Sequence, residues 1–165
     1  MVRIAAGIDE PDDGRNKPPV RRKGWLAAYI HAGRVGVMLE VHCISQAVAL
    51  SDELKELTKD LAMHIAATAP KFISREDVPR EVCLRQEEIF RREAASSEDV
   101  AKKMEGFLQE ICLLEQAFVK ESAITVGQLL ATRSDEWGDD ITIRRFVRFA
   151  VGEAETVAVN KSQPK

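Results

Sequence analysis

The sequence lacks the motifs that most nucleotide-binding and hydrolytic enzymes need. The phosphate-binding loops GxxxxGK[ST] and GxGxxG are absent, and so is the GxSxG nucleophile motif. Among the 3 histidines, His42 has a thiol beside it, that of Cys43. Adjacent strand residues point to opposite faces, so these two side chains cannot easily form a Cys–His couple. We predict a protein that is not an enzyme and has neither catalytic residues nor a cofactor.

Cysteines are also few. The three cysteines, Cys43, Cys83 and Cys112, are widely spaced and form no CxxC pair. This spacing argues against a structural zinc site and against a redox dithiol. We expect three reduced and mostly buried thiols, and no metal site.

A strong charge of one sign is missing as well. The chain has 24 basic and 27 acidic residues, a formal net charge of -3, whereas a dedicated nucleic-acid binder usually has a large basic excess. No apolar run approaches the roughly 20 residues that span a bilayer. The acids of residues 8–14 fit neither a signal peptide nor an organelle transit peptide. We expect a cytoplasmic protein that binds no nucleic acid directly and no membrane.

The 165 residues are enough for one domain with a core. Residues 1–19 and 154–165 lack an apolar period and are predicted to be disordered tails around a core domain at 20–153. Two β-prone runs, 25–31 and 34–42, flank a turn with Gly33 and predict a β-hairpin.

Four helices and a final strand are predicted after the hairpin. Apolar residues recur at spacings of three and four over 46–68, and shorter helical patterns follow at 79–95, from Ser97 and after Thr125. Residues 141–149 alternate like a strand, with a bulge expected at Arg144 and Arg145. The order predicts an α+β domain: a small antiparallel sheet, made of the hairpin and the C-terminal strand, with helices packed on one face.

The histidines are not expected to form a ligand site. His31 and His42 lie at opposite ends of the predicted hairpin and cannot share a metal. His64 lies on a helix with no second ligand one turn away, so a structural role is favoured. From the residues alone, the role stays open between binding another protein and serving as a structural subunit.

Several runs together resemble the core of the elongation factor Ts family. In chain order they are AYIHAGRVGVMLEVHC, LKELTKDLAMHIAATAPKFISREDVP, ICLLEQAFVK and ITIRRFVRFAVGE, within residues 25–153. The resemblance implies a nucleotide exchange factor that binds elongation factor Tu in its GDP form and promotes GDP release in translation elongation. It also implies a small antiparallel sheet with packed helices.

The resemblance assigns the partner-binding residues to the junction after the second strand. The family reads roughly Asn-Cys-Glu-Thr-Asp-Phe-Val-Ala-Arg-Asn there, and residues 42–51 of this chain read His-Cys-Ile-Ser-Gln-Ala-Val-Ala-Leu-Ser. The family-motif positions are Ser45, Gln46, Ala47, Val48 and Ala49. Gln46 stands at the Asp and Ala47 at the Phe that the family presses against the GTPase.

Two further departures follow from the same resemblance. The family begins with a small three-helix domain, whereas about 24 residues precede the first predicted strand here, so we expect that domain to be missing. Long members carry two related core halves and this chain carries one, which predicts pairing as a homodimer through an uncovered dimerisation-type core. Two functions stay open. The first is nucleotide exchange on elongation factor Tu, weakened by the substitutions. The second is a protein that keeps the fold without exchange activity, either a binding or scaffold protein or a degenerate paralogue.

Overall fold

A four-stranded antiparallel sheet organises the chain. The computed structural model describes residues 23–94 and 96–160. The main sheet has the order β1-β2-β5-β6, and a second sheet pairs β3 with β4. The strands are β1 (Lys23–His31), β2 (Val35–Cys43), β3 (Ala117–Phe118), β4 (Glu121–Thr125), β5 (Thr142–Ala150) and β6 (Thr156–Val159). The helices are α1 (Gln46–Leu50), α2 (Asp52–Thr68), α3 (Arg80–Glu93), α4 (Ser97–Ile111) and α5 (Val126–Trp137). The predicted α+β class is confirmed.

The β1–β2 hairpin closes through a tight turn. Ala32 and Gly33 both have positive φ, 49° and 67°, and the Arg34 amide donates to the His31 carbonyl at 2.9 Å. Two central residues of positive φ match the right-handed twist of the strands. The register places His42 opposite Gly24, at the far end of the hairpin from His31.

The bulge predicted in the C-terminal strand is confirmed. Glu40 of β2 pairs with Arg145, whereas the next residue, Val41, pairs with Ile143, so Arg144 is the extra residue in β5. The Arg144 guanidinium donates to the Asn160 carbonyl at 2.9 Å.

The prediction of a disordered tail over 154–165 is wrong for Thr156–Val159, which form β6 against β5. Thr156 and Ala158 are buried, whereas Val157 and Val159 face outward. This alternation covers only four residues, too few to stand out in the sequence. The N-terminal tail predicted over 1–19 lies outside the described residues.

The inner face of the sheet is covered by α2. Leu54, Leu61 and Ile65 are fully buried, and α2 contacts both β1 and β2. A buried arginine on β5, Arg148, donates to the Ala66 carbonyl at 3.4 Å and pairs with Glu153 at 3.0 Å. Its guanidinium therefore compensates the carbonyls at the C-terminal end of α2.

One long helix predicted over 46–68 is two helices. Ser51 ends α1 with extended backbone angles, and its hydroxyl accepts the Leu54 amide at 3.1 Å as the N-cap of α2. A serine that caps the following turn competes with continued helix, and Asp52 and Glu53 favour a helix N-terminus at this point. The break rotates Leu50, which the period placed in the core, to a position that is 60% exposed.

Helices α3 and α4 pack on each other, and neither contains a fully buried residue. Phe90 and Phe107 meet edge to face, with ring centroids 6.4 Å apart. Arg75 links this pair to the domain by donating to Glu105, at 2.5 and 2.9 Å, and to Glu115, at 2.8 Å.

A buried network surrounds His64. Its Nε2 donates to Gln116 Oε1 at 2.9 Å, and its Nδ1 accepts the Val119 amide at 3.3 Å. The Gln116 oxygen also accepts the Thr68 hydroxyl, and the Gln116 amide donates to the Glu110 carbonyl. Both ring nitrogens are thus used by neutral imidazole, which confirms the structural role predicted for this histidine.

We expect the His64 network to make stability depend on pH. Burial lowers the pKa of His64, partly offset by the bond to Gln116. As the pH falls below about 6.5, the unfolded chain therefore takes up a proton before the folded one, so the free energy of unfolding decreases. Urea unfolding of the native protein and of His64→Gln between pH 7 and pH 5 measures this. The variant should be less stable at pH 7 and show a shallower pH dependence.

The exposed His31 supplies the control for this experiment. His31→Gln should keep the pH dependence of the native protein. An unchanged slope in His64→Gln would show that another group causes the acid sensitivity.

Candidate partner-binding tip

Residues 44–50, here called the tip, join the end of β2 to the start of α2. The Ser45 hydroxyl accepts the Val48 amide at 3.1 Å and caps α1. Ala49 is buried in the core, and Val48 is half-buried against it. Gln46 and Ala47 are exposed. Of the five residues assigned by the resemblance, Gln46 and Ala47 therefore face solvent, Ser45 caps the short helix, and Val48 and Ala49 anchor it.

The tip carries two exposed apolar side chains that sequence reasoning did not assign to it. Ile44 is 69% and Leu50 is 60% exposed. Leu50 follows Ala47 by three residues, so the two share one face of α1. Residues 44–50 contain no charged side chain, which makes this surface entirely uncharged. The helical period hid Leu50 because it also fits the stripe of α2.

A carboxylate from a distant turn reaches the tip. Asp139 Oδ1 accepts the Ile44 amide at 2.6 Å, and Oδ2 accepts the Ser45 amide at 2.8 Å. Asp139 is 8% exposed. Burial raises the pKa of its carboxyl, but the backbone amides of Ile44, Ser45 and Asp140 outweigh burial, so the pKa lies below its usual value. Asp139 lies 95 residues after Ile44 and 94 residues after Ser45, so nothing in the local sequence indicates these bonds and sequence reasoning missed this residue.

The thiol under the tip is protected. Cys43 is buried, and its Sγ donates to the Ser45 carbonyl at 3.4 Å. Burial raises the pKa of this thiol, and the nearby Asp139 raises it further. Cys112 is also buried and Cys83 is half-buried, and all three are free, as the sequence predicts.

A polar cluster lies beside the base of the tip. Glu40 accepts from His42 Nε2 at 2.7 Å and from Arg145 Nε at 2.6 Å across the sheet. Burial raises the pKa of the Glu40 carboxyl, but both partners outweigh it and the pKa is lowered. Within residues 23–94 and 96–160, no group of three or more His, Cys, Asp or Glu side chains could hold a metal ion. In the same ranges no helix is both long and apolar enough to cross a membrane.

The comparisons with known proteins point to one family. The family model described as Elongation factor TS matches residues 15–153. Elongation factor Ts of Koribacter versatilis is 46% identical over 87% of this chain and 70% of its own length. The protein of the same name from Solibacter usitatus is 43% identical over 86% and 71%, and that of Carboxydothermus hydrogenoformans is 44% identical over 81% and 66%.

We expect the three thiols to react at different rates. Burial raises the pKa of Cys112 to about 11 and that of Cys43 above its usual value, so both are protonated and shielded at neutral pH. Cys83, which is half-buried on α3, should react first with an aromatic disulfide reagent. Absorbance during the reaction should show one fast thiol in the native protein and three in denaturant. Loss of the fast phase in Cys83→Ser is the check, and a fast phase that persists would show that Cys43 or Cys112 is the reactive thiol.

Proposed function

Because the chain belongs to the elongation factor Ts family, we propose that it acts in the cytoplasm on elongation factor Tu, as a guanine-nucleotide exchange factor in translation elongation. In this proposal it binds the GDP form of the GTPase and promotes GDP release. Exchange of this kind needs no covalent step, in keeping with the absence of nucleophile and phosphate-loop motifs from the sequence.

The observation that carries the proposal is an exposed tip within residues 15–153, the range that the family model matches. We propose that Ser45, Gln46, Ala47, Val48 and Ala49 form the segment that binds elongation factor Tu, with Gln46 and Ala47 exposed at its surface and Ala49 buried as its anchor. Gln46 and Ala47 project from a short helix whose base is anchored in the core through Ala49. A projecting pair on a rigid support can enter a partner's surface with little reordering of its own backbone.

The two substitutions in the tip predict a weak exchange factor. Loss of an aromatic side chain at the centre of an interface commonly costs about 2–4 kcal/mol, or roughly 30- to 1000-fold in affinity. Ala47 has no ring to supply, and Gln46 has no negative charge to compete for a metal-bound nucleotide. Binding through the remaining surface is therefore expected to be looser than in a member with Asp and Phe.

One observation favours the alternative, a binding protein that keeps the fold but does not catalyse exchange. Ile44 and Leu50 present apolar side chains where the family motif has charged ones. Such a surface fits a less polar partner than the charged motif does. Binding to elongation factor Tu without any acceleration of GDP release would identify this alternative.

We expect the double variant Gln46→Asp with Ala47→Phe to accelerate GDP release. Both positions are exposed, so the larger ring meets no core clash, and Asp in the first turn of α1 is favoured by the helix dipole. Release of a fluorescent GDP analogue from elongation factor Tu should rise by roughly one to three decades over the unsubstituted chain, in line with interface hot spots. The thermal midpoint should change little.

The matched control carries the same two changes on α4, at exposed Gln109 and Ala101. Gln109→Asp with Ala101→Phe should leave the release rate unchanged. If the tip variant folds normally and also leaves the rate unchanged, the tip is not the exchange surface.

We also propose that the chain pairs with itself through the outer face of the main sheet. Apart from the Glu40–Arg145 pair near one end, this face is apolar and open, and a second copy would cover it. Alternate residues of β1, β2, β5 and β6 supply it, namely Leu26, Ile30, Met38, Phe149, Val157 and Val159, all more than a third exposed.

Sedimentation at micromolar concentration should show a species near twice 18.4 kDa. Met38→Glu places a charge in the centre of the face and should convert this species to monomer. Leu84→Glu on α3, at a residue of similar exposure, should not. A native protein that sediments as a monomer contradicts the dimer.

A further inference from the structure

The tip is too short to hold its own conformation. Helix α1 has five residues, and isolated helices of less than about 12 residues are marginal in water. Its local bonds are the Ser45 cap on Val48, the Cys43 thiol on the Ser45 carbonyl, and the backbone bonds from the Ala49 amide to Ser45 and from the Ser51 amide to Val48. Two further contacts therefore orient it: Ala49 packs in the core at one end, and Asp139 holds the turn between β2 and α1 at the other.

Asp139 holds that turn with both oxygens. Ile44 and Ser45 each donate a backbone amide to a different oxygen of the one carboxylate, at 2.6 and 2.8 Å. A carboxylate is acceptor-only and can satisfy both amides, whereas an asparagine side chain has one acceptor and would turn its NH₂ toward the second amide. The arrangement thus requires the acid at this position.

The turn that carries Asp139 is itself fixed. Gly138 ends α5 in the left-handed conformation, with φ of 58°. The Asp139 amide donates to the Ser134 carbonyl at 3.1 Å, and the Ser134 hydroxyl accepts the Ile141 amide at 3.1 Å. The carboxylate is therefore presented from a rigid helix-to-strand connection between α5 and β5.

We propose that Asp139 is a positioning residue for the tip: its carboxylate fixes the turn at Ile44 and Ser45, so that Gln46 and Ala47 meet the partner in one orientation. The effect on the partner rests on the proposed function. Asp139 is only 8% exposed, so in this proposal it acts through the two backbone amides that donate to it. Because the tip backbone is ordered before binding, removal of the carboxylate weakens association rather than the maximal exchange rate.

The experiment compares Asp139→Asn with the control Asp140→Asn, which removes the same charge from the neighbouring exposed residue. Hydrogen exchange of the Ile44 and Ser45 amides is measured in the chain alone. GDP release from elongation factor Tu is measured over a range of chain concentrations. In Asp139→Asn the two amides should exchange faster by roughly one to two decades, as expected when a bond to a charged acceptor is lost. The concentration for half-maximal stimulation should rise about tenfold with the maximal rate kept, and Asp140→Asn should change neither.

The outcomes separate this inference from the proposed function. If the Ile44 and Ser45 amides exchange hydrogen at the same rate in both variants, Asp139 does not fix the turn and the inference is wrong. If hydrogen exchange of these amides is faster in Asp139→Asn but the concentration for half-maximal GDP release is unchanged, the turn does not affect partner binding. The proposed nucleotide-exchange function is then unaffected. If the native chain does not stimulate GDP release at any concentration, the proposed function and the effect of Asp139 on partner binding are both wrong. Hydrogen exchange of the amides still tests whether Asp139 fixes the turn.

A second measurement covers the case in which Asp139→Asn does not fold. In the native chain, the Ile44 and Ser45 amide protons and the Asp139 carboxyl carbon should show one common acid titration by NMR. The midpoint should lie below the usual aspartate value. Amide signals that do not follow the Asp139 carboxyl overturn the proposal.

Discussion

The structure depends on the burial of one apolar stripe of α2 against the inner face of the main sheet. Leu54, Leu61 and Ile65 are fully buried there, opposite Leu39 of β2 and Phe146 of β5, which are also buried. Burial of such side chains stabilises a fold by about 1.5–3 kcal/mol each, so this layer outweighs any single polar contact. Because β2 and α2 are both fixed by it, residues 44–51 must cross from the sheet to the helix, and the tip forms at this crossing.

The elements that could be predicted are those with a strong local signal. The hairpin follows from two β-prone runs around Gly33, and the bulge follows from the interrupted alternation at Arg144. The break at Ser51 has a local signal too, a serine before two acids, but the continuous apolar period masked it. Strand β6 has four residues, and its place was decided by the free edge of β5, which the sequence does not display.

Within the tip, the resemblance could propose the contact residues, but it could not predict the contacts that support them. The resemblance identified Gln46 and Ala47 as the altered pair, and the structure places both in solvent. Ile44 and Leu50 were missed because their exposure depends on where α1 begins and ends, which tertiary contacts decide. Asp139 was missed because its two bonds join residues far apart in the chain. The fold that the chain shares with the family and the activity of its tip are therefore separate questions.

The most direct test of the account is whether the tip touches elongation factor Tu. A photo-crosslinking amino acid at position 47 should cross-link to the GDP form of the GTPase, close to its nucleotide site, and excess GTPase without the label should compete. The same label at position 84, on the exposed face of α3, serves as the comparison. Cross-linking from position 84 with none from position 47 would contradict the account, because the chain would then bind through a surface other than the tip.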